Sequence, residues 1–284
     1  MIVYDGGTDL PDLGSVEFYV PQYMSGDQVL AVMSRMPKLQ VVQTLTAGVD
    51  NVWPYLPDGV MLCNARGVHD ASTAELVVGL TIAALRRIPD FVRAQARGEW
   101  LSGRFEALAD KRVLIIGYGS VGRAVERRFA GFEVEVIRVA RHAREGVEPF
   151  ERLGDLLPLA DVVVLVCPLT DETRGMVDEA FLARMHDGAL LVNAARGPVV
   201  VTDALLAEVR TGRLLAALDV TDPEPLPAGH ELWRASGVLI SPHVGGNTTA
   251  FLPRAYRLVS AQLARWADGD PLENVISRPS TLGA

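Results

Sequence analysis

The sequence predicts an α/β protein of two domains, a doubly wound parallel sheet over 87–250 and a smaller α/β unit over 1–86 that is completed by 251–284. Three observations predict it. From Lys111 onward, short apolar runs alternate with amphipathic stretches. A glycine-rich loop joins the first of those runs to the helix behind it, and residues 1–64 show a second, shorter strand and helix alternation. A chain of 284 residues can bury two separate cores, since a domain takes ~100–200 residues.

In chain order, the smaller, flavodoxin-like unit has strands near Ile2–Tyr4, Glu17–Val20, Gln40–Leu45 and Val60–Cys63, with a short helix across Asp27–Met36. Glu75 to Trp100 reads as one long helix, interrupted at Pro89, that carries the chain into the larger unit. There the expected strands are Arg112–Ile116, Val134–Val139, Asp161–Cys167, Ala189–Ala194, Leu215–Val220 and Val238–Ser241. Their hydrophobicity is continuous rather than alternating, the mark of strands buried on both faces by helices. Val121, Ala124, Val125, Phe129 and Phe132 fall at helical spacing behind the first strand, and Thr202 and Asp203 open a helix that stops at Gly212. These are crossover helices. The last helix, Ala255–Ala267, returns to the first unit, which predicts paired crossings with a cleft between the domains that closes on cofactor binding.

Composition removes several classes of function. Net charge is −8 with the basic residues scattered, so there is no electrostatic footprint for nucleic acid. The longest apolar stretches, such as Val162 to Val166, are far shorter than the ~20 residues of a membrane span. The opening MIVYDGGTDL lacks the basic start and apolar run of a secretory signal, which leaves the cytoplasm as the expected location. Cys63 and Cys167 each follow an apolar, strand-like segment and read as buried free thiols. Neither cysteine nor any of the five histidines has metal-ligand spacing, so no metal is expected.

Gly117-Tyr118-Gly119-Ser120-Val121-Gly122 is a GxGxxG set between the strand VLII and an amphipathic helix. The expression alone is weak, but this context is what the physics needs. Glycine permits a tight turn and close backbone approach to a pyrophosphate, and the helix amino terminus offers free N–H groups and a favourable dipole. A glycine turn that binds nothing is the bland alternative. The larger domain therefore reads as a Rossmann-type dinucleotide-binding domain. An NAD-preferring fold places Asp or Glu ~20 residues past the glycines, to accept from the ribose; here Ala140 stands in that region, followed by Arg141, His142 and Arg144. Loss of the carboxylate and gain of guanidinium groups suits a 2′-phosphate. NADP is favoured, with NAD possible, unless Arg141 and Arg144 form only a solvated loop.

Three later strands end on one chemically useful residue each: Arg196 in VNAARG, Glu224 in LDVTDPEPLP and His243 in LISPHVGG. Singly they read as a surface cation, an exposed carboxylate in a proline-stiffened turn and a core histidine. Together, at the strand ends where open α/β sheets bind ligands, they form a constellation. A protonated His243 can give its proton to a developing alkoxide, Glu224 can orient that imidazole, and Arg196 can fork across a carboxylate and an adjacent carbonyl.

These residues lie in segments TAGVDNV at Thr46–Val52, NARGVHDASTAELVVGL at Asn64–Leu80, GYGSVGR, DVVVLVCPLTDETRGMVD, LLVNAARGPVVVTDALLAEVRTGRLLAALDV, EPLP and SPHVGG. In this order they resemble the D-isomer-specific 2-hydroxyacid dehydrogenase family, the group that includes glyoxylate/hydroxypyruvate reductases and phosphoglycerate dehydrogenase. The resemblance covers nearly the whole chain. It implies hydride transfer between a nicotinamide and C2 of a small 2-keto or 2-hydroxy acid, with Arg196, Glu224 and His243 as the catalytic residues. It further implies that N–H groups of Ala47 and Gly48 hold the substrate carboxylate and that Ser120 and Val121 contact the pyrophosphate. By the same resemblance Thr73 and Thr173 assist cofactor binding, while Cys167, Ala194, Asp219, His243 and Gly245 line the nicotinamide side. Homodimerisation through the Glu75–Trp100 region is also implied.

Two departures from the family stand out: Asp5–Val16 is short and rich in Gly, Asp and Pro where relatives carry a helix, and Thr221-Asp222 follow Asp219-Val220. Alternative functions are a dinucleotide-binding regulator of the corepressor type, or a dehydrogenase of another small donor such as phosphite; formate enzymes typically lack a histidine in the role of His243. Trp53, Tyr55, Trp100 and Trp233 are candidates for pocket walls, and equally for core or interface packing.

Overall fold

The computed structural model describes residues 11–24 and 26–277, so the strand expected near Ile2–Tyr4 lies outside the described residues. The chain divides into two compact units, one formed by Met1–His69 with Thr249–Ala284 and the other by Asp70–Thr248.

The larger unit is a seven-stranded parallel sheet in the order Val238–Ile240, Leu215–Leu218, Leu190–Asn193, Val162–Leu165, Arg112–Ile116, Glu135–Ala140, Glu148–Pro149. Six of these are the predicted strands: Arg112–Ile116 is as expected, Glu135–Ala140 lies one residue later than expected, and the other four are shorter by one to three residues. The seventh is a two-residue edge strand ending on Pro149, too short to leave a hydrophobic pattern and placed where proline is tolerated. Val162–Leu165 and Leu190–Asn193 are buried throughout, as double-sided coverage requires. From Arg112–Ile116 the chain first builds outward to Glu148–Pro149 and then resumes on the other side at Val162–Leu165. That reversal is a topological switch point, where a ligand crevice opens at the carboxyl ends of the strands.

The expected helix Glu75–Trp100 is instead two helices, Asp70–Leu85 and Ile88–Ala96. It starts five residues earlier because its polar residues are buried and satisfied: the Thr81 hydroxyl donates to the Val77 carbonyl at 2.7 Å, and the Ser72 and Thr248 hydroxyls are 2.7 Å apart. It breaks because Arg87 adopts a left-handed conformation, φ 54°. Pro89 then sits in the first turn of the second helix, where a missing N–H costs nothing. Ala74, Val77, Leu80 and Leu85 pack with Val113, Ile115, Ala124, Val125 and Phe129 of the sheet and of helix Ser120–Phe129. The first helix therefore belongs to the larger unit, and the junction falls after His69 rather than at the expected 86/87.

The smaller unit has a mixed sheet in which Phe18–Tyr19, Val41–Gln43 and Met61–Cys63 run parallel and Val275–Ile276 adds an antiparallel edge. The expected helix over Asp27–Met36 is one α-turn, Asp27–Ala31, tightened into a 3₁₀ segment, Val32–Arg35. Helix Phe251–Asp268 is longer than the expected Ala255–Ala267 and stops at Gly269, whose φ of 74° is easy only for glycine. Gln262, 1% exposed, ties it to the sheet: its amide donates to Gln43 Oε1 at 2.9 Å and to the Glu273 carbonyl at 2.8 Å. Among the described residues no helix is long and apolar enough to cross a membrane.

Candidate functional site

The glycine loop has the shape its sequence predicts. Gly117 has φ 101°, and a Cβ there would lie 2.4 Å from the Cys167 nitrogen, so only glycine fits between the two strand ends. Gly122 is equally confined, because its Cβ would meet the Gly117 carbonyl oxygen at 2.7 Å where helix and strand pack. At Gly119 a Cβ would meet nothing within 4 Å among the described residues, which leaves open space at the entrance to helix Ser120–Phe129. No side chain caps that helix, so its first N–H groups stay available. This cradle fits a dinucleotide pyrophosphate, with Ser120 and Val121 in the first turn. Ser120 Oγ is 3.3 Å from Asp70 Oδ1.

Cys167 is 3% exposed, and burial pushes its thiol up to about 12. It is a neutral packing group beside Gly117. Ala194 donates its N–H to the Leu165 carbonyl at 3.1 Å. Thr173, 2% exposed, donates its hydroxyl to the Pro168 carbonyl at 2.7 Å and accepts from the Thr170 N–H at 2.8 Å. Its hydroxyl therefore shapes the loop rather than facing outward.

At the carboxyl end of Glu135–Ala140, Arg141 and Arg144 are exposed. Arg141 Nη2 donates to Glu172 Oε1 at 2.6 Å, whereas Arg144 donates to the Tyr118 carbonyl and lies over its ring, 5.9 Å from the centroid. The Tyr118 hydroxyl donates to Glu126, which also takes Arg138 Nε at 2.9 Å. The Arg138 guanidinium holds the Glu126 carboxyl below its ordinary range; burial, and then Glu126, raise the Tyr118 phenol. Glu172, Glu126 and Arg138 were not among the sequence candidates, because nothing local in TDET, in helix Ser120–Phe129 or in strand Glu135–Ala140 signals a partner from another element.

Arg196, Glu224 and His243 all lie in the larger unit. Asn193, 1% exposed at the end of its strand, accepts the Ala195 N–H on Oδ1 at 3.0 Å and donates Nδ2 to the Arg196 carbonyl at 3.1 Å, which fixes the backbone that carries Arg196. Arg196 Nη1 donates to the Ala195 carbonyl at 2.8 Å. Next to it, a Cβ on Gly197 would stand 1.9 Å from the Thr221 carbonyl oxygen. That close approach draws the Arg196 loop against the turn bearing Glu224. The Thr202 hydroxyl donates to the Asp222 carbonyl at 2.7 Å and the Thr221 hydroxyl to the Pro223 carbonyl at 2.9 Å. Thr221-Asp222 thus secure the same turn.

His243 and Glu224 meet, with Nδ1 2.5 Å from Glu224 Oε1. A carboxylate acceptor requires the proton on Nδ1, and among the described residues the opposite ring nitrogen has no partner. His243 has φ 52°, a conformation that costs a non-glycine residue ~1–3 kcal/mol. Asp219 supports it. Its carbonyl accepts the His243 N–H at 2.8 Å; its carboxylate, 3% exposed, accepts Ser241 Oγ at 2.6 Å and the Val244 and Gly245 N–H groups at 2.9 Å. Asp219 therefore organises this loop with its own side chain. A Cβ at Gly245 would lie 2.9 Å from Asp219 Oδ2 and 3.5 Å from Thr73 Oγ1, which places Thr73 beside the loop.

In the smaller unit, the carbonyls of the Thr46–Gly48 loop are all spent inward. That of Thr46 accepts Thr44 Oγ1 at 2.9 Å, that of Ala47 accepts Asn64 Nδ2 at 2.7 Å, and that of Gly48 accepts Thr46 Oγ1 at 2.8 Å. The N–H groups of Ala47 and Gly48 donate to nothing among the described residues, an arrangement able to receive an anion. Trp53 and Tyr55 pack on the core of this unit. Trp100 is 95% exposed, and Trp233 donates Nε1 to the Pro227 carbonyl at 2.9 Å. Among the described residues no cluster of His, Cys, Asp or Glu could hold a metal ion.

Residues 78–245 match the family model described as the NAD binding domain of D-isomer specific 2-hydroxyacid dehydrogenase. The chain is 33% identical to D-3-phosphoglycerate dehydrogenase of Methanocaldococcus jannaschii over 88% of its own length, and spans 49% of that relative. Among solved structures it resembles a D-isomer specific 2-hydroxyacid dehydrogenase of Xanthobacter autotrophicus Py2 in complex with NADPH and MES, at 31% identity and a TM-score of 0.82, covering 96% of this chain and 88% of that one. It also resembles the NADPH-dependent glyoxylate/hydroxypyruvate reductase of Sinorhizobium meliloti in complex with NADP and sulfate, at 30% identity and a TM-score of 0.83, covering 94% and 86% of the two chains.

Proposed function

The chain belongs to the D-isomer specific 2-hydroxyacid dehydrogenase family, and on that premise we propose that it reduces a small 2-keto acid to the 2-hydroxy acid, preferring NADPH. The observation that carries this reading is the 2.5 Å contact between His243 and Glu224 at the end of a sheet whose glycine loop fits a dinucleotide. A bound nicotinamide supplies the hydride that C2 receives.

The remaining chemistry is the work of this chain's residues. His243, oriented through Nδ1 by Glu224, gives the proton on its other nitrogen to the substrate's 2-oxygen as negative charge develops there. Arg196 forks across the carboxylate and the 2-oxygen, fixing C2 and stabilising the incipient alkoxide. In the smaller unit, the unspent N–H groups of Ala47 and Gly48 are able to receive a carboxylate. In the reverse direction a neutral His243 takes the proton back.

The cofactor preference rests on Ala140 standing where an NAD-type acid would stand, with Arg141 and Arg144 beside it. It is supported by the NADPH and NADP named with the Xanthobacter and Sinorhizobium structures. The substrate class follows the reductase named in the latter. The functional unit is a homodimer joined through the Glu75–Trp100 region, where Ile88, Val92 and Trp100, with Leu101 beside them, are exposed apolar side chains. The direct test is oxidation of NADPH and NADH with glyoxylate, hydroxypyruvate, phenylpyruvate and branched 2-keto acids. Turnover of at least one is expected; no turnover, with tight dinucleotide binding retained, would overturn the enzymatic reading in favour of a regulatory one.

A further inference from the structure

The two guanidinium groups assigned to a 2′-phosphate are not equivalent. Arg144 is held by a carbonyl and an aromatic face, partners that carry no net charge. Arg141 is already matched by a carboxylate, with Nη2 2.6 Å from Glu172 Oε1. The path of this pair across the sheet matters. Arg141 directly follows strand Glu135–Ala140, and Glu172 lies in the loop after strand Val162–Leu165. Between those two strands runs Arg112–Ile116, whose carboxyl end is the glycine loop. The ion pair therefore reaches across two strand spacings, about 10 Å, at the edge where the dinucleotide site opens.

On the premise that these arginines receive the 2′-phosphate of NADPH, we propose that Glu172 is a specificity-determining residue: its carboxylate competes with that phosphate for Arg141 and so moderates the preference for NADPH. Glu172 holds one N–H of that guanidinium, through Nη2, and offsets its charge, so a 2′-phosphate draws on the full charge of Arg141 only when the internal pair opens. An unphosphorylated ribose makes no such demand and leaves the pair closed. Arg144 is the standing contact and Arg141 the conditional one. The two side chains are 60% and 50% exposed, so the competition takes place in a high dielectric, is screened by salt and amounts to a few-fold.

The test is fluorescence titration of the full chain with NADPH and NADH, without substrate, for the native protein and for Glu172→Gln, Arg141→Ala, Arg144→Ala and the double variant Glu172→Gln with Arg141→Ala. Glu172→Gln is expected to tighten NADPH about two- to fivefold and leave NADH unchanged. The gain should shrink in high salt and vanish in the double variant. If Glu172→Gln leaves the NADPH/NADH ratio unchanged while Arg141→Ala lowers it, Glu172 is not the determinant, although the arginine assignment stands. A ratio unmoved by either arginine substitution overturns the assignment itself. A gain that persists in the double variant means that Glu172 repels the nucleotide directly, and the competition for Arg141 is wrong. Thermal melts check each fold, and Glu172→Ala repeats the measurement should the glutamine variant be unstable.

Discussion

At the scale of single residues, the proposed chemistry separates into effects that kinetics can resolve. Arg196 would touch the substrate before and during reaction, so Arg196→Ala should raise KM and lower kcat together. His243 would give its proton only during reaction, so His243→Ala should cut kcat by about 10²–10⁴-fold with KM changed only a few-fold. Near-native keto-acid reduction by His243→Ala would remove it from the mechanism. Glu224→Gln removes the carboxylate that orients the ring through Nδ1, and it should lower kcat with KM changed only a few-fold. A kcat unmoved by that substitution would reduce Glu224 to a packing role. The two cysteines allow a simpler measurement. Burial pushes the Cys63 thiol up to about 11 and Cys167 to about 12, so both stay protonated at pH 8 and neither presents a thiolate. Iodoacetamide should leave the native protein essentially unlabelled and modify both thiols on unfolding; rapid native labelling would contradict their burial.

At the scale of elements, the glycine loop separates folding from binding within three residues. Gly117→Ala forces a side chain into a left-handed turn and against the Cys167 backbone, and it should destabilise the fold by several kcal/mol. Gly119→Ala fills space that no atom of the described residues occupies. It should leave the melting temperature within a few degrees and weaken NADPH binding tenfold or more, since a methyl group then stands where the pyrophosphate must approach the backbone. Equal loss of stability in the two variants would show that the Gly119 space is not a ligand cradle. Helix Asp70–Leu85 is masked in the sequence by its own hydroxyls. Its first turn carries Ser72 and Thr73 and its interior Thr81, a composition that hides a buried helix until the hydroxyl partners are known.

At the scale of the whole molecule, the exposed apolar side chains of Ile88, Val92, Trp100 and Leu101 are the basis for expecting a second copy of the chain. Light scattering at micromolar concentration should give twice the chain mass, and Trp100→Glu should shift it toward the monomer. A native monomer would leave those residues without the role proposed for them.

The sequence by itself determined the class of fold, six strands of the large sheet and the identity of the chemical groups. Short apolar runs alternating with amphipathic stretches fit strands covered on both faces by helices, and a GxGxxG between strand and helix fits the tight turn and close packing found at Gly117 and Gly122. Tertiary structure decided what depends on partners distant in sequence. The two-residue strands Glu148–Pro149 and Val275–Ile276 exist only through their neighbours, being too short to show a period. The junction after His69 depends on which core receives helix Asp70–Leu85. Asp219 serves the His243 loop because four bonds converge on it from Ser241, His243, Val244 and Gly245, and Arg141 is matched by Glu172, thirty-one positions away. Hydrophobic pattern is local and can be read along the chain, whereas the pairing of charges and hydrogen-bonding groups is fixed only when the sheet brings its strand ends together.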